Sequence, residues 1–385
     1  MDRTVSPSEA QADAAAAAGR LADSRRLLEA AARETPARLE TWLKLSAMCR
    51  ATGDLDGALA AVSRALALAP LDLSALLMRA MLLEKAGDEA GAGEAYGHAL
   101  AQHPEGPPPP GLEQMLGHAE QRYRAFQEGT LARLREGIPA GQGGSGEEQA
   151  RIERFCSNIA RITRPFGQEP SHFAFPGLPP VEFHDRAHFP WLAELEAATD
   201  EIREEFDALI ASEAAELVPY IQYPDDVPLR QWESLNRSRD WTAVHLLQNG
   251  SRIDRNARHC PRTIALLERL PQPDVPGASP NAMFSLLAPR TRIPAHTGVA
   301  NTRLVCHLPL IVPPGCGFRV GAQTRQWQAG SAFVFDDTIE HEAWNDSAEL
   351  RVVFIFDLWA WALSETERSA VAAIIPRSGA PAAEL

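Results

Sequence analysis

The sequence is nearly without lysine: among 37 basic residues only Lys44 and Lys85 are not arginine. It also lacks any C-x-x-C pair, and no apolar run approaches the roughly 20 residues that a membrane span needs. Each absence excludes something. Cys49, Cys156, Cys260, Cys306 and Cys316 are widely spaced, write no zinc ribbon, and suit free thiols in a reducing compartment. The opening MDRTVSPSEAQADAAAAAG has no leucine-type apolar core and does not read as a secretory leader, so the expectation is a cytoplasmic protein without a membrane partner. Positive charge is in the minority as well. With 51 acidic against 37 basic residues the formal net charge is −14, which argues against a nucleic-acid partner or an anionic membrane surface. Codon bias accounts for the excess of arginine over lysine as a whole, although arginine is the better bidentate binder of carboxylates.

What is present is a chain of 385 residues, long enough for two domains that each bury a core. Gly19, Gly53 and Gly87 are spaced by 34 residues, and so are Pro36, Pro70 and Pro104. The register extends to Ala31, Ala65 and Ala99, to Ser24, Ala58 and Ala92, and to Leu28, Val62 and Tyr96. Small residues stand where two helices touch, a glycine turns between them, and a proline ends the second. Trp42 opens one unit, and ATGDLDGALAAVSRALALAP follows as its second half. This pattern resembles the tetratricopeptide repeat. Such units must stack to bury their apolar faces, giving a short platform that either docks a peptide or protein partner or covers the next domain.

HPEGPPPPGL cannot continue a helix, 112–136 look helical again, and IPAGQGGSGEEQ (138–149) reads as a mobile loop. The expected domains are helical repeats over 1–104, a Pro/Gly-rich linker with a helix over 105–150, a β-rich domain over 151–365 and a tail over 366–385. RIERFCSNIARI and LAELEAATDEIREEFDALI read as helices. Beyond residue 240, WTAVHLLQ, AMFSLLAP, TRLVCHLPLIV, GFRVG, RQWQAG, SAFVFDD and LRVVFIFDLW are short apolar runs bounded by turn residues. The expected class is α + β: helical repeats, then a jelly roll (double-stranded β-helix) with flanking helices.

Two histidines stand in this β region, His296 in IPAHTGVANTRLVCHLPL and His341 in SAFVFDDTIEHEAWND. In a jelly roll, early and late strands lie side by side, so histidines at their ends can converge on one metal. Iron(II) oxygenases pair two histidines with a carboxylate, yet His296 is followed by Thr297 and Gly298, not by H-x-D. By spacing alone, two structural histidines remain an alternative.

SLLAPRTRIPAHTGVANTRLVCHLPL and GSAFVFDDTIEHEAWNDSAELRVVFIFDLW, with FPGLPPVEFHDRAHFPWLAELEAATDEIREEF and DWTAVHLLQNG before them, resemble the aspartyl/asparaginyl β-hydroxylase family over about 150–360. The resemblance implies Fe(II), 2-oxoglutarate and O2, and iron held by two histidines without a carboxylate. His296 and His341 would be the ligands. Arg351 would clamp the distal carboxylate of 2-oxoglutarate with Ser285. His307, with Val305 and Cys306 beside it, and Trp241 at the pocket mouth would complete the co-substrate site. Arg303 would meet the substrate's acidic group, while Val305 stands where the family has a second arginine. Asp336 and Asp337 would orient His341, or serve only the turn; Glu342 is read as solvated charge.

The implied activity is hydroxylation of an unactivated C–H, with 2-oxoglutarate converted to succinate and CO2. By resemblance the target is the β-carbon of an aspartyl or asparaginyl residue in a peptide or protein. The alternatives are a free amino acid or peptide natural product, a non-catalytic repeat-bearing adaptor, and a cupin-like site with another metal. Lipid hydroxylation fits an acidic chain poorly. The joint presence of His296, His341, Arg351 and Ser285 argues against the adaptor, and Arg351 discriminates against the cupin-like site, which needs no carboxylate clamp.

Overall fold

The computed structural model describes residues 6–103, 106–139, 146–212, 215–224, 226 and 228–378. The chain divides into two compact units, Met1–Thr163 and Arg164–Leu385.

In the first unit, three helix pairs follow the 34-residue period: α1 (Pro7–Ala17) with α2 (Leu21–Glu34), α3 (Leu39–Ala51) with α4 (Leu55–Leu68), and α5 (Leu73–Lys85) with α6 (Glu89–Leu100). Gly19, Gly53 and Gly87 sit between the partners at φ +73, +84 and +81, a left-handed turn that costs glycine little. Leu28, Val62, Tyr96 and the three periodic alanines are essentially solvent-free. Pro36 and Pro70 fall just past α2 and α4; Pro104 lies outside the described residues. Lys44 is spent inside this unit, its Nζ 2.9 Å from buried Glu9 and 2.7 Å from Asp13.

The segment expected to be a linker belongs to this unit. α7 (Glu113–Glu136) packs on α6 because Gly93 and Gly97 leave room for Phe126 and Tyr123. α8 (Gly146–Ile159) rests on α7, tied by Arg135 with Glu153 and by Gln127 Nε2 donating to the Arg161 carbonyl at 2.5 Å. The boundary therefore falls at 163/164 rather than near 150. The expected loop over 138–149 lies outside the described residues at 140–145, and its end is the first turn of α8.

The second unit joins α9 (Leu192–Ala197), α10 (Thr199–Ala211), α11 (Asp254–Ala257) and α12 (Pro261–Leu267) to two antiparallel sheets. LAELEAATDEIREEFDALI is broken at Ala198, where Thr199 Oγ1 donates to the Glu196 carbonyl. The large sheet runs β1 (Val218–Pro219), β2 (Trp241–Gln248), β4 (Ala282–Leu287), β11 (Arg351–Trp359), β6 (Arg303–Ile311), β9 (Phe333–Phe335), with β3 (Ser251–Arg252) beside β2. The small sheet runs β5 (Thr291–His296), β10 (His341–Asn345), β7 (Cys316–Val320), β8 (Gln323–Arg325). Early and late strands are neighbours in both sheets. One face of the large sheet packs under α9–α12 around Phe206, Phe284 and Phe354, and the other meets the small sheet around Met283, Phe318 and Ile355.

RQWQAG is not a strand, since only its first residue, Arg325, belongs to β8, and β5 and β10, absent from the expected strands, carry the two histidines at their ends. The expected tail is helical at α13 (Glu365–Ile374), closed by a Ser364–Glu367 capping box; 379–385 lie outside the described residues. No described helix is long and apolar enough to cross a membrane.

Candidate active site

His296 ends β5 and His341 begins β10, and the two are direct cross-strand partners. A regular strand would not allow this. Ile293 is buried between the sheets, and a residue three further on would face the other side of a period-2 strand. A register shift between His341 and Ala343 absorbs the odd residue. Their ring centroids are 4.0 Å apart. Each Nδ1 is fixed by a carbonyl two residues back, Pro294 O at 2.8 Å and Ile339 O at 3.1 Å. That pairing makes Nδ1 the donor and leaves Nε2 with its lone pair.

Enclosure keeps both rings neutral. Trp232 and Trp241 lie 5.0 and 6.4 Å from His296, and desolvation pushes its pKa down to about 4. Desolvation, and then its neighbour His296, hold His341 well below the usual value. Two neutral imidazoles with oriented Nδ1–H bonds are the donor set a divalent metal requires. No group of three His, Cys, Asp or Glu side chains able to hold a metal occurs among the described residues. The pair thus stands without a carboxylate, and Gly298 shows why. A Cβ at 298 would overlap the Asp337 carboxylate. Asp337 occupies the volume where an H-x-D side chain would begin.

A cavity of about 730 Å³ opens on both histidines and on Trp241, Ser285, Val305, His307, Arg303, Asp337 and Arg351. At one end Arg351, 1 % exposed, lies with its guanidinium 4.6 Å from the Trp327 ring and Nη1 3.5 Å from Ser285 Oγ. Trp241 Nε1 donates to the same Oγ at 3.1 Å and is stacked on Tyr220 at 3.7 Å. Arg351 Nε has no hydrogen-bond partner, and desolvation lowers the group to about 10, still charged at neutral pH. A buried cation of this kind is costly without an anion beside it, and Arg351 lines the same cavity as the histidines.

β6 divides by its pleat. Val305 and His307 face the cavity, whereas Cys306, between them, points into the core under the helices and does not line it. Its expected place at the co-substrate is corrected accordingly. His307 sits among Phe318, Phe333 and Phe335 with Nδ1 unpartnered, and burial drives its pKa well below the usual value. Asp336 also falls outside the cavity. It accepts from Thr338 N (2.9 Å), Thr338 Oγ1 (2.6 Å) and Gln168 Nε2 (2.5 Å), which is turn chemistry. Glu342 pairs with Arg319. Asp337 alone of the two aspartates lines the cavity, and desolvation raises it to about 7.

Arg303, 5 % exposed, lies between two carboxylates, Nη2 3.6 Å from Asp337 Oδ2 and Nη1 3.7 Å from Asp357 Oδ2. Sequence reasoning missed Asp357, Tyr220, Trp232 and Trp327. Asp357 is written inside an apolar strand; the aromatics fall in segments without periodicity.

This fold and site define a hydroxylase-type domain carried behind helical repeats. The family model for aspartyl/asparaginyl beta-hydroxylase matches residues 196–360. Aspartate beta-hydroxylase domain-containing protein 2 of Rattus norvegicus is 32% identical over 266 residues, covering 68% of this chain and 70% of that protein. The chain belongs to the aspartyl/asparaginyl β-hydroxylase family. It is 36% identical over 184 residues to the ornithine lipid ester-linked acyl 2-hydroxylase of Rhizobium tropici, covering 47% of this chain and 60% of that one. It is also 35% identical over 144 residues to human aspartyl/asparaginyl beta-hydroxylase, covering 37% of this chain but 19% of the human protein. The Yersinia enterocolitica chaperone SycD is similar to 31% of the chain at 17% identity, with a TM-score of 0.29.

Proposed function

We propose that the protein is an Fe(II)- and 2-oxoglutarate-dependent dioxygenase that hydroxylates an unactivated C–H, most simply the β-carbon of an aspartyl or asparaginyl residue in a peptide or protein. The observation that carries this is one cavity lined by both a neutral, oriented histidine pair and a buried, anion-demanding Arg351.

His296 and His341 would hold the iron through Nε2. Bound iron would supply the oxygen-activating chemistry that side chains cannot. Arg351 and Ser285 would bind the distal carboxylate of 2-oxoglutarate, the guanidinium through two parallel hydrogen bonds. Trp241 fixes the Ser285 hydroxyl by donating to it, and so sets which lone pairs and proton it offers. Tyr220, Trp232 and Trp327 add apolar surface to the cavity lining. Asp337 would orient the metal end from beneath Gly298. The helical repeats would offer a surface for an extended peptide or protein, and five free, buried cysteines suit a reducing compartment such as the cytoplasm.

A second reading, acyl-chain hydroxylation, draws on the similarity to the ornithine lipid enzyme. The test is succinate formation from 2-oxoglutarate by anaerobically prepared protein given Fe(II) and then O2. Turnover abolished by His296→Ala and Arg351→Ala supports the dioxygenase. Absence of both turnover and 2-oxoglutarate binding overturns it in favour of a non-catalytic adaptor.

A further inference from the structure

We propose, building on the two-histidine metal site above, that Gln168 is a positioning residue: its side-chain amide ties together the two loops that carry His296 and His341 and so sets their spacing. Gln168 lies outside 196–360, the span that the family model matches.

His296 is the last residue of β5 and runs into the loop 297–302, while His341 is the first residue of β10 and leaves the turn 336–340. The strands alone hold the two rings loosely. Both histidines sit at strand ends, and the ladder between β5 and β10 shifts register just past His341. The Ile339 carbonyl that receives His341 Nδ1 belongs to the turn, not to the strand. A site of two histidines has no third protein ligand to correct a misplaced ring, and metal donors need to stand within roughly 0.5 Å of the productive geometry. Where the loops are anchored therefore decides where the donors point.

The segment 168–175 crosses both loops. Glu169 N donates to Thr338 O at 2.7 Å on the His341 side; Ser171 N donates to Gly298 O at 3.0 Å and Phe173 N to Val299 O at 2.9 Å on the His296 side. The loops also meet directly, Gly298 N donating to Asp337 O at 2.6 Å. Gln168 adds a bridge made by one side chain. Its Nε2 donates to Asp336 Oδ2 at 2.5 Å, and its Oε1 accepts from Asn301 Nδ2 at 3.0 Å. Asn301 follows His296 by five residues and Asp336 precedes His341 by five. Both partners are buried and already fixed. Asn301 Oδ1 accepts from Phe175 N (2.7 Å) and its Nδ2 also donates to Phe175 O (2.9 Å), while Asp336 Oδ1 accepts from Thr338 N and Oγ1. With a donor held on one side and a carboxylate on the other, the Gln168 amide has one orientation that satisfies both. A change at 168 releases the two loops from each other without touching either histidine.

The test is Co(II) binding by the full chain, with and without 2-oxoglutarate, read by calorimetry and by the visible absorption of the bound ion, which reports ligand geometry. Gln168→Glu sets two carboxylates against each other, and Asp336→Asn sets two NH2 groups against each other. Each is expected to weaken Co(II) binding about 10-fold and to shift the absorption bands. Combining Gln168→Glu with Asp336→Asn exchanges donor and acceptor across the same contact and keeps the acceptors that Asn301 and Thr338 need, so both readouts should return to the parent values. Gln168→Leu, which adds no charge and removes both bonds, should behave like the single variants. Thermal melting of the metal-free proteins separates folding from positioning. Single variants that melt lower yet keep the parent affinity and spectrum would show that Gln168 is only structural, and a double variant no better than the singles would show that the bridge does not set the pair; either result overturns the proposal. A parent protein that takes up no Co(II) in either condition would instead strike the two-histidine site itself, and the dioxygenase reading with it.

Discussion

Gly298 and Asp337 compete for one volume, and the chain resolves this by giving up the Cβ. Gly298→Ala should push the Asp337 carboxylate off Arg303, lowering stability by about 1–3 kcal/mol in urea melts. It should reduce substrate hydroxylation more than 2-oxoglutarate binding, since Arg351 and Ser285 hydrogen-bond to each other and to Trp241 rather than to Asp337. Arg351 makes the complementary case, a buried cation whose proposed role is to hold a ligand. Its guanidinium is 1 % exposed, with Ser285 Oγ as hydrogen-bond partner and Nε unsatisfied. Arg351→Met should therefore stabilise the ligand-free protein by about 1–3 kcal/mol. It should also weaken 2-oxoglutarate binding by about 2–5 kcal/mol, measured by calorimetry. A variant less stable in both respects would show that Arg351 is structural.

At the scale of the element, the pleat of β6 separates function from packing. Cys306→Ser places a hydroxyl in the apolar core under the helices and should cost about 1–3 kcal/mol of stability without changing 2-oxoglutarate affinity. An equal fall in affinity would mean that Cys306 reaches the cavity after all. The same pleat shows how far the sequence could be read. The long, apolar strands β2, β4, β6 and β11 are legible because nine-residue runs such as RVVFIFDLW leave no helical alternative. β5 and β10 are not, because TRIPAH contains a proline and an odd Ile293-to-His296 spacing that only a register shift reconciles, while HEAWN is short and half polar. The histidines were found by motif; their strands were not. In the repeats the period was readable to the residue. α7 was missed as part of that unit because the feature that docks it is an absence, the missing side chains of Gly93 and Gly97 against Phe126 and Tyr123.

Over the whole molecule, the two units should respond to acid in separate pH ranges. His184, His245 and His296 are held down to about 4, and His307 and His341 well below 6.5, all by desolvation and all in the second unit. A group depressed on folding binds its proton more readily when unfolded, so its contribution to stability is present above 6.5 and lost as pH falls toward the folded value. Asp336, Asp337 and Asp357 are raised by the same burial and act in the opposite sense, gaining stability as pH falls through their raised folded values, about 7 for Asp337. Over this range the five histidines take up protons on unfolding, so the second unit loses stability as pH falls below 6.5, and the raised aspartates oppose part of that loss. In the first unit Glu9 and Glu84 are held below 4.5 despite burial, by Lys44 and Thr41 and by Tyr96 and His118. Their contribution survives until pH falls below about 4.5. Urea unfolding at pH 7, 6 and 5 should thus show the second unit's transition moving to lower denaturant while the first unit's stays in place. Metal binding at His296 and His341 would raise the second unit's transition across this range without changing its slope, because the folded rings are already unprotonated there and the metal displaces no proton from them.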